Sequence, residues 1–221
     1  MRFNNARINS FLLLSLAVLM LSGTIFAIGP LRFTPELFNR IEQEYGTSAR
    51  ERVADWQQEL LDLQSEDIDE QLYEINRFFN SIPYYEDSVH FKQADYWATP
   101  VEMLATNGGD CEDYTIAKYF SLRALGVPEE NMRMMYVKAL DYNQAHMVLA
   151  YYPSPNAVPF ILDNINPRIL PASRRTDLQP VYSFNGEGLW LAKAQGRGKQ
   201  LGSGSRHKLW EDLTTRIERG F

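Results

Sequence analysis

Cysteine occurs once in the chain, in the stretch Asn107-Gly108-Gly109-Asp110-Cys111-Glu112-Asp113-Tyr114. A Gly-Gly turn precedes it and a helix-like run from Tyr114 to Phe120 follows it. This pattern places the sulfur at a helix N-terminus, where unpaired backbone N–H groups stabilise a thiolate. A lone cysteine is more often a small buried hydrophobe, but the two glycines and three carboxylates here are untypical of an apolar pocket. We therefore take a reactive thiol as the working hypothesis.

The composition is that of one globular domain. Of the 221 residues, 45% are hydrophobic and 23% are charged, which argues against intrinsic disorder. The formal net charge is −6 and the chain has no Lys/Arg-rich run, so we expect no nucleic-acid partner.

The N-terminal 27 residues are typical of a secretory signal peptide. Arg2 and Arg7 precede the apolar run 11–21, and small residues lead to Ala27, after which we expect cleavage. The alternative is an uncleaved membrane anchor over 11–26. The remaining residues, 28–221, are predicted to form a single domain. An exported chain with one cysteine has no internal disulfide, so its thiol is free.

Residues 34–82 form the predicted helical N-terminal part. Thr34-Pro35 begins a first helix and Gly46 ends it, Ser48 opens a second, and Ser65 opens a third that ends before Pro83. The segment 83–109 is rich in aromatic residues and is expected to be irregular.

The rest of the chain, after residue 109, is predicted to form one helix, a series of antiparallel strands and a terminal helix. We expect a helix over 113–124, strands over 132–140, 146–152 and 158–162, a hairpin pairing 182–184 with 189–192, a loose connection over 196–205 and a terminal amphipathic helix over 207–219. Helices followed by antiparallel strands indicate an α+β domain.

Of the three histidines, His146 is the best partner for the cysteine. It opens one predicted strand, and Asp163 ends the next one. If these strands are antiparallel neighbours, His146 and Asp163 lie side by side at one sheet edge. A thiolate nucleophile needs an imidazole to hold its proton, and the imidazole needs a carboxylate to fix its tautomer. We expect His207 to be solvated, and His90 has no acidic partner nearby in the sequence.

Three strings in this order resemble a known family. Gly108-Gly109-Asp110-Cys111-Glu112-Asp113-Tyr114, Ala145-His146-Met147-Val148-Leu149 and Leu162-Asp163-Asn164 resemble the bacterial transglutaminase-like cysteine proteases, more narrowly the LapG type. The resemblance runs from about Trp97 to Trp190, within the predicted catalytic core, 97–192. It implies a transglutaminase-like, papain-like fold in which N-terminal helices and a catalytic helix pack on an antiparallel sheet.

The same resemblance implies a function. It implies a periplasmic endopeptidase that cuts a large surface adhesin near its N-terminus and releases cells from a biofilm. It also implies an inner-membrane receptor that binds cyclic di-GMP and sequesters the protease through its periplasmic domain. In this likeness Cys111 is the nucleophile, His146 the general base and acid, and Asp163 its orienter. The Cys111 N–H would bind the oxyanion, with Trp97 or an upstream amide as a second donor.

The acids around the cysteine need an explanation of their own, because like charges oppose thiolate formation. From the residues alone, helix capping by Asp110 is the favoured interpretation, and a calcium site is the alternative. The resemblance reverses this order: it implies Ca²⁺ bound by Asp110 and Glu112, to which we add Asp113.

Two other functions stay open. The same acyl-enzyme attacked by an amine would make the protein an acyltransferase of the transglutaminase type. A catalytically silent binding module of the same fold is the other alternative, against which the retention of Cys111, His146 and Asp163 argues.

Overall fold

The computed structural model describes residues 26–28, 31–191, 200–202 and 208–220. Most of the predicted signal peptide and His207 lie outside these ranges. Of the predicted signal peptide, only Phe26 and Ala27 are described. They belong to β1 (Phe26–Ile28), which pairs antiparallel with β2 (Leu31–Phe33). Cleavage after Ala27 would therefore fall within β1. Among the described residues, no helix is both long enough and apolar enough to cross a membrane.

The helices lie mainly in the N-terminal half. They are α1 (Pro35–Tyr45), α2 (Thr47–Asp62), α3 (Ile68–Asn80), α4 (Asp87–His90), α5 (Pro100–Thr106), α6 (Cys111–Ala124) and α7 (Lys208–Glu218). The first helix begins as predicted, because the Thr34 side chain accepts a hydrogen bond from the Leu37 N–H and Pro35 is the first helical residue. It ends as predicted at Gly46, which has a φ of 88°.

Two predictions for this half were wrong. The third helix begins at Ile68 with Asp67 as its N-cap, whereas Ser65 lies in a 3-10 turn. The segment 83–109 is not simply irregular, since it contains α4 and α5. The start of α5 carries a capping box in which Thr99 and Glu102 each accept the other's backbone N–H, a local signal that the aromatic composition obscured.

The C-terminal half forms a seven-stranded antiparallel sheet. Its strands are β3 (Met132–Ala139), β4 (Gln144–Tyr151), β5 (Phe160–Leu162), β6 (Leu170–Pro171), β7 (Leu178–Phe184), β8 (Leu189–Leu191) and β9 (Gln200–Gly202), in the order β6-β5-β4-β3-β7-β8-β9. The predicted strands and hairpin are confirmed with small shifts in their bounds. β6 was not predicted, and β9 lies where a loose connection was expected.

Helix α6 lies at the centre of the fold, between the N-terminal helices and the sheet. Eleven of its residues are buried, and on one side the Trp56 indole N–H of α2 donates to the Ser121 hydroxyl at 2.9 Å. On another side Trp210 of α7 stacks on Phe120 with ring centroids 5.8 Å apart. Each large apolar side chain buried in this way stabilises the fold by about 1.5–3 kcal/mol. The body of α6 is therefore held from several directions.

Candidate active site

Cys111 is the first residue of α6, and Asp110 occupies the N-cap position. The helix begins two residues earlier than predicted, so Cys111 lies in the first turn, whose N–H groups have no partners within the helix. Gly109 allows this start, because a Cβ there would lie 2.6 Å from the Asp113 Oδ2 atom. The prediction that the cysteine lies at a helix N-terminus is confirmed.

His146 and Asp163 are in contact, as the predicted strand pairing required. β4 and β5 are antiparallel with Leu149 opposite Leu162, which brings the residue after β5 beside the start of β4. The His146 Nε2 atom lies 2.8 Å from the Asp163 Oδ1 atom, and both side chains are buried. Because Asp163 accepts the Nε2–H, the Nδ1 atom is left as the proton acceptor of the ring.

The start of α6 is tied to β4 through Thr115. Its hydroxyl lies 2.9 Å from the Cys111 carbonyl oxygen and 3.1 Å from that of Met147, the residue after His146. Sequence reasoning missed this threonine, because its partners are 4 and 32 residues away. The contact fixes the part of α6 that carries the thiol against the strand that carries the imidazole.

Arg175 is a second residue that the sequence analysis missed. It is buried, and its Nη2 atom donates to the Asp163 Oδ2 atom at 2.6 Å. Burial acts to raise the pKa of Asp163, but the hydrogen bonds and charges of His146 and Arg175 outweigh it and lower this pKa to about 2. Asp163 is therefore a carboxylate throughout the physiological range.

The surroundings of Cys111 favour the protonated form of its thiol. Burial raises its pKa, and the nearby Glu112 raises it further. The Sγ atom donates to the Glu112 Oε2 atom at 2.9 Å. A nucleophilic thiolate at this position requires that the negative charge around it be offset.

A cluster of carboxylates, of which those of Asp87, Asp110 and Asp113 are buried, lies beside the thiol. Asp87, Asp110 and Asp113 bring one oxygen each to within 4.8 Å of one another, and Asp87, Asp95 and Glu112 do the same. Burial, followed by the charge of neighbouring acids, raises the pKa of Asp110 to about 10; burial is also the largest cause of the rise in the pKa of Asp87 to about 6. Asp87 and Asp95 were not predicted from the sequence.

The carboxylate oxygens fit a hard cation. The Oδ1 atoms of Asp87 and Asp110 are buried and accept no hydrogen bond from the described part of the chain. Asp113 is more fully engaged, since its two oxygens accept the N–H groups of Ala98 at 2.7 Å and Asp110 at 3.1 Å. Oxygen ligands of this kind suit Ca²⁺, and two unpaired buried carboxylate oxygens leave room for its coordination.

Two further candidate residues lie elsewhere. His90 stacks on Tyr85, with centroids 5.3 Å apart, and its Nε2 atom lies 2.9 Å from the Thr106 hydroxyl. Trp97 is buried and stacks on Phe184 with centroids 5.5 Å apart. The role of Trp97 as an oxyanion donor stays a prediction.

Comparisons with known proteins identify the family of this chain. A family model described as bacterial transglutaminase-like cysteine proteinase, BTLCP, matches residues 42–184. No curated protein sequence matched. The solved structure of EGTA-treated LapG from Legionella pneumophila is 43% identical, with a TM-score of 0.73 over 83% of this chain and 97% of that one.

A second solved structure is of the calcium-bound form of that protein. Calcium-bound LapG from Legionella pneumophila is 44% identical, with a TM-score of 0.72 over 83% of this chain and 98% of that one. The fold is transglutaminase-like, as predicted, with helices packed on an antiparallel sheet. The chain belongs to the bacterial transglutaminase-like cysteine proteinases.

Proposed function

We propose that this protein is a calcium-dependent cysteine endopeptidase whose catalytic triad is Cys111, His146 and Asp163. The observation that carries the proposal is the buried His146–Asp163 pair, 2.8 Å apart, in which His146 lies on β4, the strand that packs against the start of α6, where Cys111 lies. Family membership supports the reaction class.

The residues act in a defined order. The Nδ1 atom of His146 takes the thiol proton, and the Cys111 sulfur attacks the carbonyl carbon of the peptide bond. The Cys111 N–H, at the start of α6, donates to the oxyanion that forms. His146 then gives the proton to the leaving amine, and water releases the acyl group in a second step. Asp163 accepts the Nε2–H throughout, so the imidazole keeps the orientation that this exchange requires.

Calcium is the proposed cofactor, held by Asp110, Glu112 and Asp113. The buried, unpaired oxygens of Asp110 and Asp87 support a cation at this place and add Asp87 to the candidate ligands. When bound, Ca²⁺ supplies positive charge that offsets the carboxylates beside the thiol. Glu112 accepts a hydrogen bond from the thiol, so coordination of Ca²⁺ by this carboxylate would free the sulfur.

The biological role is proposed from the resemblance to LapG-type proteases. The substrate is the N-terminal region of a large cell-surface adhesin, cut in the periplasm after export, so that cleavage releases cells from a biofilm. The inhibitory partner is the periplasmic domain of an inner-membrane receptor for cyclic di-GMP, which sequesters the protease.

A cleavage assay tests this function. An N-terminal adhesin fragment is incubated with wild type and calcium, wild type and chelator, or Cys111→Ala and calcium. Asp69→Asn, which changes an exposed acid of α3, serves as the matched control. Cleavage by wild type and the control only when calcium is present supports the proposal. Incorporation of a primary amine without cleavage would favour the acyltransferase, and inertness of every sample would favour the binding module.

A further inference from the structure

We propose that Arg175 is a positioning residue for this reaction: it holds the Asp163 carboxylate in the orientation that receives the His146 Nε2–H and thereby leaves Nδ1 facing the thiol. This inference rests on the proposed function for its catalytic meaning, but its structural content is independent of the substrate. Arg175 belongs to none of the strings that carry the family resemblance.

Both oxygens of Asp163 are occupied. Oδ1 lies 2.8 Å from the His146 Nε2 atom and accepts the Ile165 N–H at 2.9 Å. Oδ2 accepts from Arg175 at 2.6 Å. With each oxygen fixed by a different donor, the carboxylate cannot rotate without breaking a charge-assisted hydrogen bond. The imidazole orientation is therefore set by Arg175 as well as by Asp163.

Arg175 is itself oriented by Asp177. The Arg175 Nε atom donates to the Asp177 Oδ1 atom at 3.0 Å, and Nη2 donates to Oδ2 at 2.7 Å. The Asp177 side chain is 34% exposed, whereas that of Arg175 is 2% exposed. Charges thus alternate from the buried imidazole to the surface through Asp163, Arg175 and Asp177. This planar, two-point contact is one that lysine cannot reproduce.

A purely structural role explains this arrangement poorly. The Nη1 atom of Arg175 is buried and donates to no acceptor in the described part of the chain, which costs free energy. Apolar side chains of similar volume commonly replace a buried ion pair without loss of stability. The Arg175 guanidinium is present despite this cost and contacts Asp163, the partner of the His146 imidazole. This points to a role in orienting the Asp163 carboxylate.

Two further side chains near Asp163 hold its backbone rather than its carboxylate. Asn80 of α3 donates to the Asp163 carbonyl oxygen at 2.9 Å, and the Lys118 ammonium of α6 donates to the Asn80 side-chain oxygen at 2.7 Å. These contacts hold the chain at Asp163 but leave its carboxylate free to turn. The Oδ1 side of the carboxylate is fixed by His146 and the Ile165 N–H, and the orientation of its Oδ2 side is therefore assigned to Arg175.

Nitrogen-15 NMR of the histidine rings in the full chain tests this assignment, because only His90, His146 and His207 contribute signals. We expect a single Nε2–H tautomer for His146 in wild type and a mixture of tautomers in Arg175→Gln. In the cleavage assay, kcat should fall about 10- to 100-fold in Arg175→Gln, with KM changed less than twofold. Arg175→Lys should recover less than half of this loss.

The matched control is Arg77→Gln, which removes an exposed arginine of α3 and should leave both readouts unchanged. A wild-type tautomer and a wild-type kcat in Arg175→Gln, with only a lower melting temperature, would overturn the proposal. If Arg175→Gln does not fold, Asp177→Asn and Arg175→Lys decide: a shifted tautomer supports the role and an unshifted one refutes it. An inactive wild type with the expected tautomers would refute the proposed function alone.

Discussion

Replacing Asp87 by asparagine is expected to change stability in opposite directions with and without calcium. Asp87 is 4% exposed, and its Oδ1 atom lies unpaired beside Asp110 and Asp113. Burial raises its pKa from 3.8 to about 6, and nearby acids add to this effect. An acid whose pKa is raised by folding contributes stability below its unfolded value, and this stability is lost as the pH rises through the folded value.

The magnitude follows from the two pKa values. The difference between 3.8 and about 6 corresponds to about 3 kcal/mol of destabilisation above pH 7, in the absence of a cation. Asparagine keeps an oxygen for the Tyr96 N–H, which Asp87 now accepts, but carries no charge. With chelator at pH 8, Asp87→Asn should therefore be more stable than wild type by up to about 3 kcal/mol, or roughly 6–12 °C in melting temperature.

With saturating calcium, Asp87→Asn should instead be less stable than wild type, because the variant has lost a candidate calcium ligand and gains less stability from binding the ion. Thermal unfolding followed by circular dichroism, in chelator and in calcium, measures both effects. Asp69→Asn, on the surface of α3, should show no calcium-dependent difference from wild type. Equal destabilisation of Asp87→Asn in both conditions would refute the reasoning.

Three further substitutions test other parts of the account. Burial lowers the pKa of Lys118 to about 7. Between pH 7 and 9, the free energy of unfolding of wild type should therefore rise by up to about 1.4 kcal/mol per pH unit relative to that of Lys118→Met. A difference between the two free energies that does not change with pH in urea unfolding would contradict this. Gly108→Ala places a Cβ 2.5 Å from the Tyr85 ring and should cost about 1–3 kcal/mol in thermal unfolding, so an unchanged melting temperature would argue against this packing. Trp56→Phe leaves the Ser121 hydroxyl without its buried donor and should cost about 1–3 kcal/mol, also in urea unfolding, where a cost near zero would be the contrary result.

The parts of the fold that the sequence predicts are those encoded locally. The first helix is delimited by a capping threonine, a proline and a left-handed glycine within thirteen residues, 34–46. The pairing of β4 with β5 follows from two apolar runs joined by a short turn, so the contact of His146 with Asp163 could be anticipated. Capping residues were sufficient to predict the first helix, and one short turn was sufficient to predict the strand pairing.

The residues that were missed are brought to the site by contacts distant in sequence. Asp87 reaches Asp110 because a bridge between Tyr84 and Gly109 places α4 beside the start of α6. Arg175 arrives from the segment between β6 and β7. An aspartate or an arginine in a loop carries no periodic or capping signal that would distinguish it from a solvated surface residue. Such residues can be assigned only once the chain path is known.

The rate at which iodoacetamide alkylates Cys111 as a function of pH tests the central claim most directly, because no other cysteine can take the label. The account predicts that calcium-loaded wild type reacts rapidly at pH 6, whereas His146→Ala and chelator-treated wild type react about tenfold faster for each unit of rising pH, as a protonated thiol does. Slow alkylation of calcium-loaded wild type at pH 6, with the same pH dependence as His146→Ala, would contradict it.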